Sequence, residues 1–126
     1  MNLDVYGEEI LERYKHPVNR GKFSDADATA RDTNPSCGDE LEIDIKVNDH
    51  KLMEAKFSGV GCAISQASTD ILIDSVKGKS LETIITFSKE EHLKRIGVDP
   101  TSLRVRCALL PLKIIKLAAA EIISKK

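Results

Sequence analysis

The segment 34–39, with the sequence NPSCGD, places a thiol and a carboxylate two residues apart, at Cys37 and Asp39. Pro35 fixes its own φ angle and Gly38 leaves the backbone free, so the two side chains can converge within a turn. Thiolates and carboxylates both bind zinc and iron. The segment therefore predicts one part of a metal site.

The other predicted ligands are the two remaining cysteines, Cys62 in SGVGCAIS and Cys107 in RVRCALL. Three thiolates and the Asp39 carboxylate would complete a tetrahedral shell. Both cysteines lie at or near predicted helix N-termini, where backbone N–H groups and the helix dipole favour a thiolate. Arg104 and Arg106 would add positive charge, although they are equally well explained as solvated charges at a helix end. The wide spacing of the cysteines does not by itself identify a class of metal site.

Length, composition and charge restrict the class of protein. The chain has 126 residues, of which 41% are hydrophobic and 31% charged, and we expect residues 1–126 to form a single globular domain. The formal net charge of −1 makes nucleic acid a poor candidate partner. The N-terminal sequence MNLDVYGEE is acidic and lacks a long apolar run, so we expect no signal peptide, no membrane span and a cytoplasmic location. In that reducing compartment, three separated cysteines are expected to be ligands or reactive thiols.

The elements that must position these residues can be predicted from periodicity, beginning with a helix and three strands. Residues 4–15 carry Ile10 and Tyr14 one helical turn apart, with Asp4 as a candidate N-cap. Residues 29–33 are a weak candidate for the first strand. Residues 41–47 alternate strictly, and a turn at Asn48 and Asp49 leads to a returning strand over 52–58. The apolar faces of these two strands consist of Leu41, Ile43, Ile45 and Val47, and of Met53, Ala55 and Phe57.

The second half of the chain predicts helices. A helical pattern follows Cys62 and ends at Lys77 and Gly78. Ser80 can cap a short helix, and Ser88 with Glu91 forms a capping box for another helix that ends at Gly97. A last helix runs from about Leu103 onward, and Pro111 is compatible with it if the helix begins near Arg106. The predicted fold class is α+β, a small antiparallel sheet of about three strands with helices on one face and the sulfur-bearing loops at one end.

The motifs that carry the three cysteines resemble those of a known family. NPSCGD, SGVGCAISQAS, RVRCALL and the N-terminal YGEEILERYKHPVNRG are similar to the U-type iron-sulfur cluster assembly scaffolds, the IscU/SufU family related to the N-terminal part of NifU. The resemblance covers nearly the whole chain. It implies that Cys37, Asp39, Cys62 and Cys107 surround a labile 2Fe-2S cluster or a zinc ion.

The resemblance also implies partners. A cysteine desulfurase would deliver sulfur as a persulfide to one thiol, for which Cys107 is our candidate, and apo iron-sulfur proteins would accept the finished cluster. The residue chemistry fits, since clusters are normally held by four thiolates and a carboxylate in place of one should weaken the hold on iron. A homo-oligomer is left open.

Two features separate this chain from individual branches of the family. The IscU branch usually has histidine before the third cysteine and a Leu-Pro-Pro-Val-Lys chaperone motif upstream, where this chain has Arg106 and PTSLR. A guanidinium cannot act as a neutral ligand, so a histidine ligand is excluded at this position and a dedicated chaperone is not expected. The SufU branch, whose members act as zinc-dependent sulfur acceptors, typically carries an insertion between the second and third cysteines that this chain lacks.

Four hypotheses remain at this point. The chain is a 2Fe-2S scaffold, which is not an enzyme, or it is a zinc-dependent sulfurtransferase, a structural zinc module or a cysteine hydrolase. The hydrolase is the least favoured, because no histidine lies in a sequence context that suggests a general base beside a thiol. His16, His50 and His92 are expected on the surface and outside the site. Asn34 and Pro35 are expected only to form the turn, and Asp39 is also compatible with a simple turn-closing role.

Overall fold

The structure, a computed structural model, describes residues 7–35 and 38–125. Along these residues the elements are α1 (Gly7–Lys15), β1 (Ala28–Asn34), β2 (Asp39–Asn48), β3 (Lys51–Val60), α2 (Ala63–Val76), α3 (Leu81–Ile85), α4 (Lys89–Ile96) and α5 (Val105–Ser124). The strands form an antiparallel sheet in the order β1-β2-β3, and several helices pack against it. The predicted α+β fold class is confirmed. The candidate N-cap Asp4 lies outside the described residues.

The register of the sheet brings three chain segments to one end. Asn34, the last residue of β1, pairs with Asp39, the first of β2. Glu40 pairs with Val60, the last residue of β3. The start of β2, with Asp39, and the segment that leads into Cys62 therefore lie at the same end of the sheet.

Alternation predicted the buried face of β2 but not the burial of its other face. Leu41, Ile43 and Ile45 are buried as predicted. Asp44, on the opposite face, is also buried, because the segment before β1 covers it. The backbone N–H of Phe23 donates to Asp44 Oδ2 at 2.9 Å, and Thr29 Oγ1 donates to Asp44 Oδ1 at 2.9 Å.

The β2–β3 hairpin contains an irregularity that shifts one predicted face. Its turn is formed by Asp49 and His50, whose φ angles are 53° and 63°, so it lies one residue later than predicted. The pairing shifts between Lys46 and Val47, which leaves Met53 as the extra residue of a β-bulge. Met53 is consequently 53% exposed, and its predicted place on the buried face is wrong.

Three predicted helix ends are confirmed, two capped by a serine side chain and one by a glycine. Ser80 Oγ accepts from the Thr83 N–H and Ser88 Oγ from the Glu91 N–H, and Gly97 ends α4 in the left-handed conformation with φ of 78°. Among the described residues, no helix is both long and apolar enough to cross a bilayer.

Two apolar clusters hold the helices in place. The larger lies between the sheet and α2, α3 and α5, and Phe57, Leu72 and Ile114 are among its fully buried members. The smaller joins α1, α2, α4 and the start of α5, and it includes Cys107. Ile10 packs into this second cluster as its period predicted, whereas Tyr14 remains 47% exposed.

Candidate metal site

Asp39, Cys62 and Cys107 converge at the end of the sheet where β1 and β3 end and β2 begins. One potential ligand atom from each residue, a carboxylate oxygen and two Sγ atoms, lies within 4.8 Å of the others. Asp39 begins β2, Cys62 directly precedes α2, and Cys107 lies in the first turn of α5. Cys37, the fourth predicted ligand, lies outside the described residues. Three of the four predicted site residues are thus brought together.

The two carboxylate oxygens of Asp39 have different surroundings. Oδ1 accepts from the backbone N–H of Cys62 at 2.9 Å and from Ser65 Oγ at 3.3 Å. Oδ2 is buried and has no hydrogen-bond partner among the described residues. A buried acceptor without a hydrogen-bond partner reduces the stability of the fold, so its presence needs a specific explanation, such as a ligand that binds there. A cation bound at Oδ2 would remove this cost, and the residues present therefore fit a metal.

Cys62 is the N-cap of α2. Its backbone is extended, with φ −71° and ψ 167°, and its Sγ accepts from the Ser65 N–H at 3.4 Å. An N-cap side chain usually offers an oxygen to the free N–H groups of the first turn. Here a sulfur takes that place. The predicted position of Cys62 at a helix N-terminus is confirmed.

The two glycines before Cys62 allow this close approach of chain segments. Gly59 has φ of 122°, and a Cβ there would collide with the backbone of Glu40. At Gly61 a Cβ would lie 2.7 Å from Asp39 Oδ1 and would also collide with Ser65 Oγ. Any larger residue at Gly61 would therefore push apart the groups that hold the carboxylate.

Cys107 lies near the N-terminus of α5, as its predicted helix requires, and not in one of the sulfur-bearing loops of the predicted architecture. The residue is fully buried. Asn34 Nδ2 donates to Cys107 Sγ at 3.9 Å. Pro111 follows four residues later and has no N–H to offer to the Cys107 carbonyl, as expected for a proline near the first turn of a helix.

Two side chains near Cys107 were assigned wrongly from the sequence. Asn34, expected only to form the turn, is buried and contacts the thiol. His92, expected on the surface, is 1% exposed and its Nε2 donates to the carbonyl oxygen of Ala108 at 2.8 Å. Burial lowers the pKa of His92 below its ordinary value, so the ring is neutral near pH 7. Its spacing of four residues from buried Ile96 was the signal that could have placed it on the inner face of α4.

The arrangement is suited to hold a thiophilic cation. Ligand atoms around a tetrahedral zinc ion with Zn–S bonds of about 2.3 Å lie roughly 3.7 Å apart. The three observed atoms would need to approach by at most about 1 Å to bind one ion, with the fourth position left for another ligand. Arg104 and Arg106 are exposed beside the site.

A known protein family matches nearly the whole chain. Residues 5–126 match the family described as NifU-like N terminal domain. The chain is 32% identical to the zinc-dependent sulfurtransferase SufU of Bacillus subtilis, with 95% of this chain and 93% of that protein aligned. It is 31% identical to the iron-sulfur cluster assembly scaffold protein IscU of Escherichia coli, with 97% of both chains aligned.

A solved structure is similar to this chain in both fold and sequence. The crystal structure described as a putative iron-sulfur cluster assembly scaffold protein for the SUF system, from Fervidobacterium islandicum AW-1, superposes with a TM-score of 0.75. It is 30% identical in sequence, and the match covers 91% of this chain and 96% of that one. Together with the match over residues 5–126, these similarities show that the chain belongs to the NifU-like N-terminal domain family, the U-type iron-sulfur cluster assembly scaffolds.

Proposed function

We propose that this protein is a scaffold on which a labile 2Fe-2S cluster is assembled from iron and from sulfur supplied by a cysteine desulfurase. The finished cluster would then pass to apo iron-sulfur proteins. The relatives named IscU, among them the Escherichia coli protein, support this role. In this proposal the cluster is cargo and the protein is not an enzyme.

The observation that carries the proposal is the unpartnered Oδ2 of Asp39 beside two thiols. We propose Cys37, Asp39, Cys62 and Cys107 as the ligands of the iron. Thiolates bind iron strongly, and replacing one with a harder carboxylate weakens the shell. A site of this composition suits a cluster that must later be released.

For sulfur delivery we propose Cys107 as the acceptor. Its thiolate would attack the terminal sulfur of the desulfurase persulfide, forming a new S–S bond as the desulfurase thiolate leaves. Reduction of that sulfur to sulfide needs two electrons from a separate reductant. Because the Cys107 side chain is fully buried, the attack requires neighbouring groups to move. Cys62 is the more accessible of the two described thiols and is the alternative first acceptor.

A second candidate function is that of a zinc-dependent sulfurtransferase, which accepts persulfide sulfur without building a cluster. The Bacillus subtilis relative carries that name. Arg106 precedes the third cysteine and cannot serve as a metal ligand, so the shell retains one carboxylate and at most three thiolates. That shell also satisfies the tetrahedral coordination of zinc.

One experiment separates the two cargoes. The chain is purified without oxygen, its iron, zinc and sulfide are measured, and it is then reconstituted with ferrous iron and sulfide. A scaffold should acquire visible charge-transfer absorption that Cys62→Ser, Cys107→Ser and Cys37→Ser each abolish. Asp49→Asn, which changes an exposed carboxylate in the β2–β3 turn, should leave the absorption unchanged. A colourless protein under all conditions would refute the scaffold proposal.

Zinc dependence is tested in parallel. If the protein is a sulfurtransferase, removal of zinc should abolish its stimulation of desulfurase turnover, and stimulation that survives chelation would eliminate this candidate. A purely structural zinc would instead make each cysteine variant unfold. Folded and soluble cysteine variants would exclude that role.

The remaining expectations complete the proposal. Residues 1–126 are proposed to act as one domain in the cytoplasm. Its partners would be a cysteine desulfurase and apo acceptor proteins, with no nucleic acid and no membrane. Because PTSLR stands where a Leu-Pro-Pro-Val-Lys motif would be, no dedicated chaperone is included.

A further inference from the structure

A cavity of about 400 Å³ lies next to the candidate metal site, where the end of α1, the segment 17–20, the end of β3 and the first turn of α2 meet. Its walls include Gly59 and Gly61, so it borders the segment that leads into Cys62. The candidate ligands Asp39, Cys62 and Cys107 do not line it. The cavity is therefore a separate feature from the proposed metal site.

The guanidinium of Arg20 is fixed in the wall of this cavity. Nη1 donates to Gln66 Oε1 at 2.6 Å, and Nη2 donates to the Gly59 carbonyl at 2.7 Å. The guanidinium carbon also lies 5.6 Å from the centre of the Phe57 ring. An arginine has five N–H donors, so these two bonds leave others for a ligand. Fixing the side chain in advance reduces the entropy that binding would cost.

The backbone at Arg20 is held as firmly as its side chain. The Phe57 N–H donates to the Asn19 carbonyl at 3.0 Å, and the Gly21 N–H donates to the Phe57 carbonyl at 2.8 Å. These bonds join the segment around Arg20 to β3 as a short parallel bridge. Both the backbone and the guanidinium of Arg20 are thus held in place by hydrogen bonds.

The positive charge of the cavity is not neutralised by the described part of the chain. Both acceptors of Arg20 are uncharged oxygens, and Lys15 supplies a second cation to the wall. Within residues 7–35 and 38–125, the ion pairs include neither Arg20 nor Lys15. Arg13, in contrast, pairs with Asp70 and Asp74.

A buried donor in the same wall also lacks a partner. Gln66 is 7% exposed, and its Nε2 has no hydrogen-bond partner among the described residues. Oε1 already accepts from Arg20, so a flipped amide would place donor against donor. The wall thus combines two cations with an unpaired amide donor, and this set of groups favours an anionic oxygen ligand.

We propose that this cavity binds a carboxylate. A guanidinium pairs well with a planar carboxylate, whereas phosphate sites are commonly built on the free N–H groups of a helix N-terminus. Near this cavity two of the N–H groups at the start of α2 are engaged at the metal site, since the Ser65 N–H donates to Cys62 Sγ and the Cys62 N–H to Asp39 Oδ1. The carboxylate comes either from a free amino acid or from an acidic side chain of a docking protein.

The test is a titration of the full-length ¹⁵N-labelled chain, followed by NMR at low ionic strength. N-acetyl-glutamate amide represents an acidic protein side chain, N-acetyl-glutamine amide is its neutral match, and free glutamate represents the small-molecule source. The carboxylate probes should cause saturable shifts of the Gln66 side-chain amide and of Gly59 and Gly61. Arg20→Gln should weaken binding at least tenfold, while Lys89→Gln, on exposed α4 surface, should not change it.

The probes also identify the source. A blocked glutamate that binds as tightly as the free amino acid supports an acidic protein side chain, and free glutamate binding at least tenfold tighter supports a small molecule. Equal shifts with the neutral probe, wild-type affinity in Arg20→Gln, or no saturable shift at Gln66 would overturn the proposal. If Arg20→Gln does not fold, Lys15→Gln removes one cation without disturbing the Arg20 hydrogen bonds and should weaken binding severalfold. The readout is binding alone, so it is independent of which cargo the metal site holds.

Discussion

Replacing Asp39 with asparagine should have opposite effects on the metal-free and metal-bound protein. Asp39→Asn keeps the size of the side chain and the Oδ1 acceptor for the Cys62 N–H and Ser65 Oγ. It replaces the buried, unpartnered Oδ2 and removes the negative charge. An amide nitrogen is a donor and cannot bind a metal cation.

The magnitudes follow from the two environments. A buried acceptor without a partner costs about 1–3 kcal/mol, so replacing Oδ2 should stabilise the metal-free chain. The stabilisation is smaller than this full amount, because the new amide donor also lacks a partner. We expect the metal-free variant to be about 1 kcal/mol more stable than the metal-free wild type. If the loss of one ligand weakens zinc about 100-fold, the zinc-dependent part of the stability falls by about 2.7 kcal/mol. The variant should therefore be the less stable protein when zinc is present.

The assay is urea unfolding of wild type and Asp39→Asn, once with a chelator and once with excess zinc. Asp49→Asn serves as the control, since it changes an exposed carboxylate of the hairpin turn. If Asp39→Asn destabilises the metal-free chain by more than 1 kcal/mol, then the unpartnered Oδ2 does not reduce the stability of the metal-free fold. If zinc stabilises both proteins equally, then Asp39 is not a ligand.

Three further substitutions test the surroundings of the site. Gly61→Ala should reduce zinc affinity at least tenfold, measured by chelator competition, because its Cβ would collide with Ser65 Oγ; wild-type affinity would contradict the close approach. Burial lowers the pKa of His92, so protonation of this residue favours the unfolded chain. In metal-free protein the wild type should therefore lose stability relative to His92→Gln as pH falls below about 6.5, by at most about 1.4 kcal/mol per pH unit. Urea unfolding at several pH values measures this, and parallel pH profiles of the two proteins would refute it. Asn34→Ala removes the donor to Cys107 Sγ and should weaken zinc about fivefold, the equivalent of one hydrogen bond, and an unchanged affinity would refute it.

Local patterns were sufficient for most elements of the fold. The alternation over Leu41–Ile45 and the caps at Ser80 and Ser88 act within a few residues, so each is visible in a short window of sequence. The bulge at Met53 is different, because it depends on how the turn aligns two strands. A shift of one residue in the hairpin exchanges the two faces of a strand, and alternation alone cannot detect it.

The side chains around the candidate site were harder to predict than its proposed ligands. Asn34 and His92 both act across long distances in sequence, on Cys107 and on the carbonyl of Ala108. A turn motif predicts a change of chain direction after Asn34, but it says nothing about a thiol 73 residues away. The charged neighbours of His92 likewise concealed its place on the inner face of α4.

The unpaired oxygen of Asp39 also explains how a shell with few thiolates could bind a metal at all. In the metal-free chain this buried oxygen raises the free energy of the folded state, and a bound cation removes that cost. A relief of about 1–3 kcal/mol corresponds to about 5- to 150-fold in affinity. In the proposed site the carboxylate would therefore contribute to capture through relief of its own burial, although a carboxylate is a weaker iron ligand than a thiolate. Exchange of Asp39 for cysteine should then strengthen retention of iron and slow its transfer, and faster transfer from such a variant would show that the carboxylate does not weaken the shell.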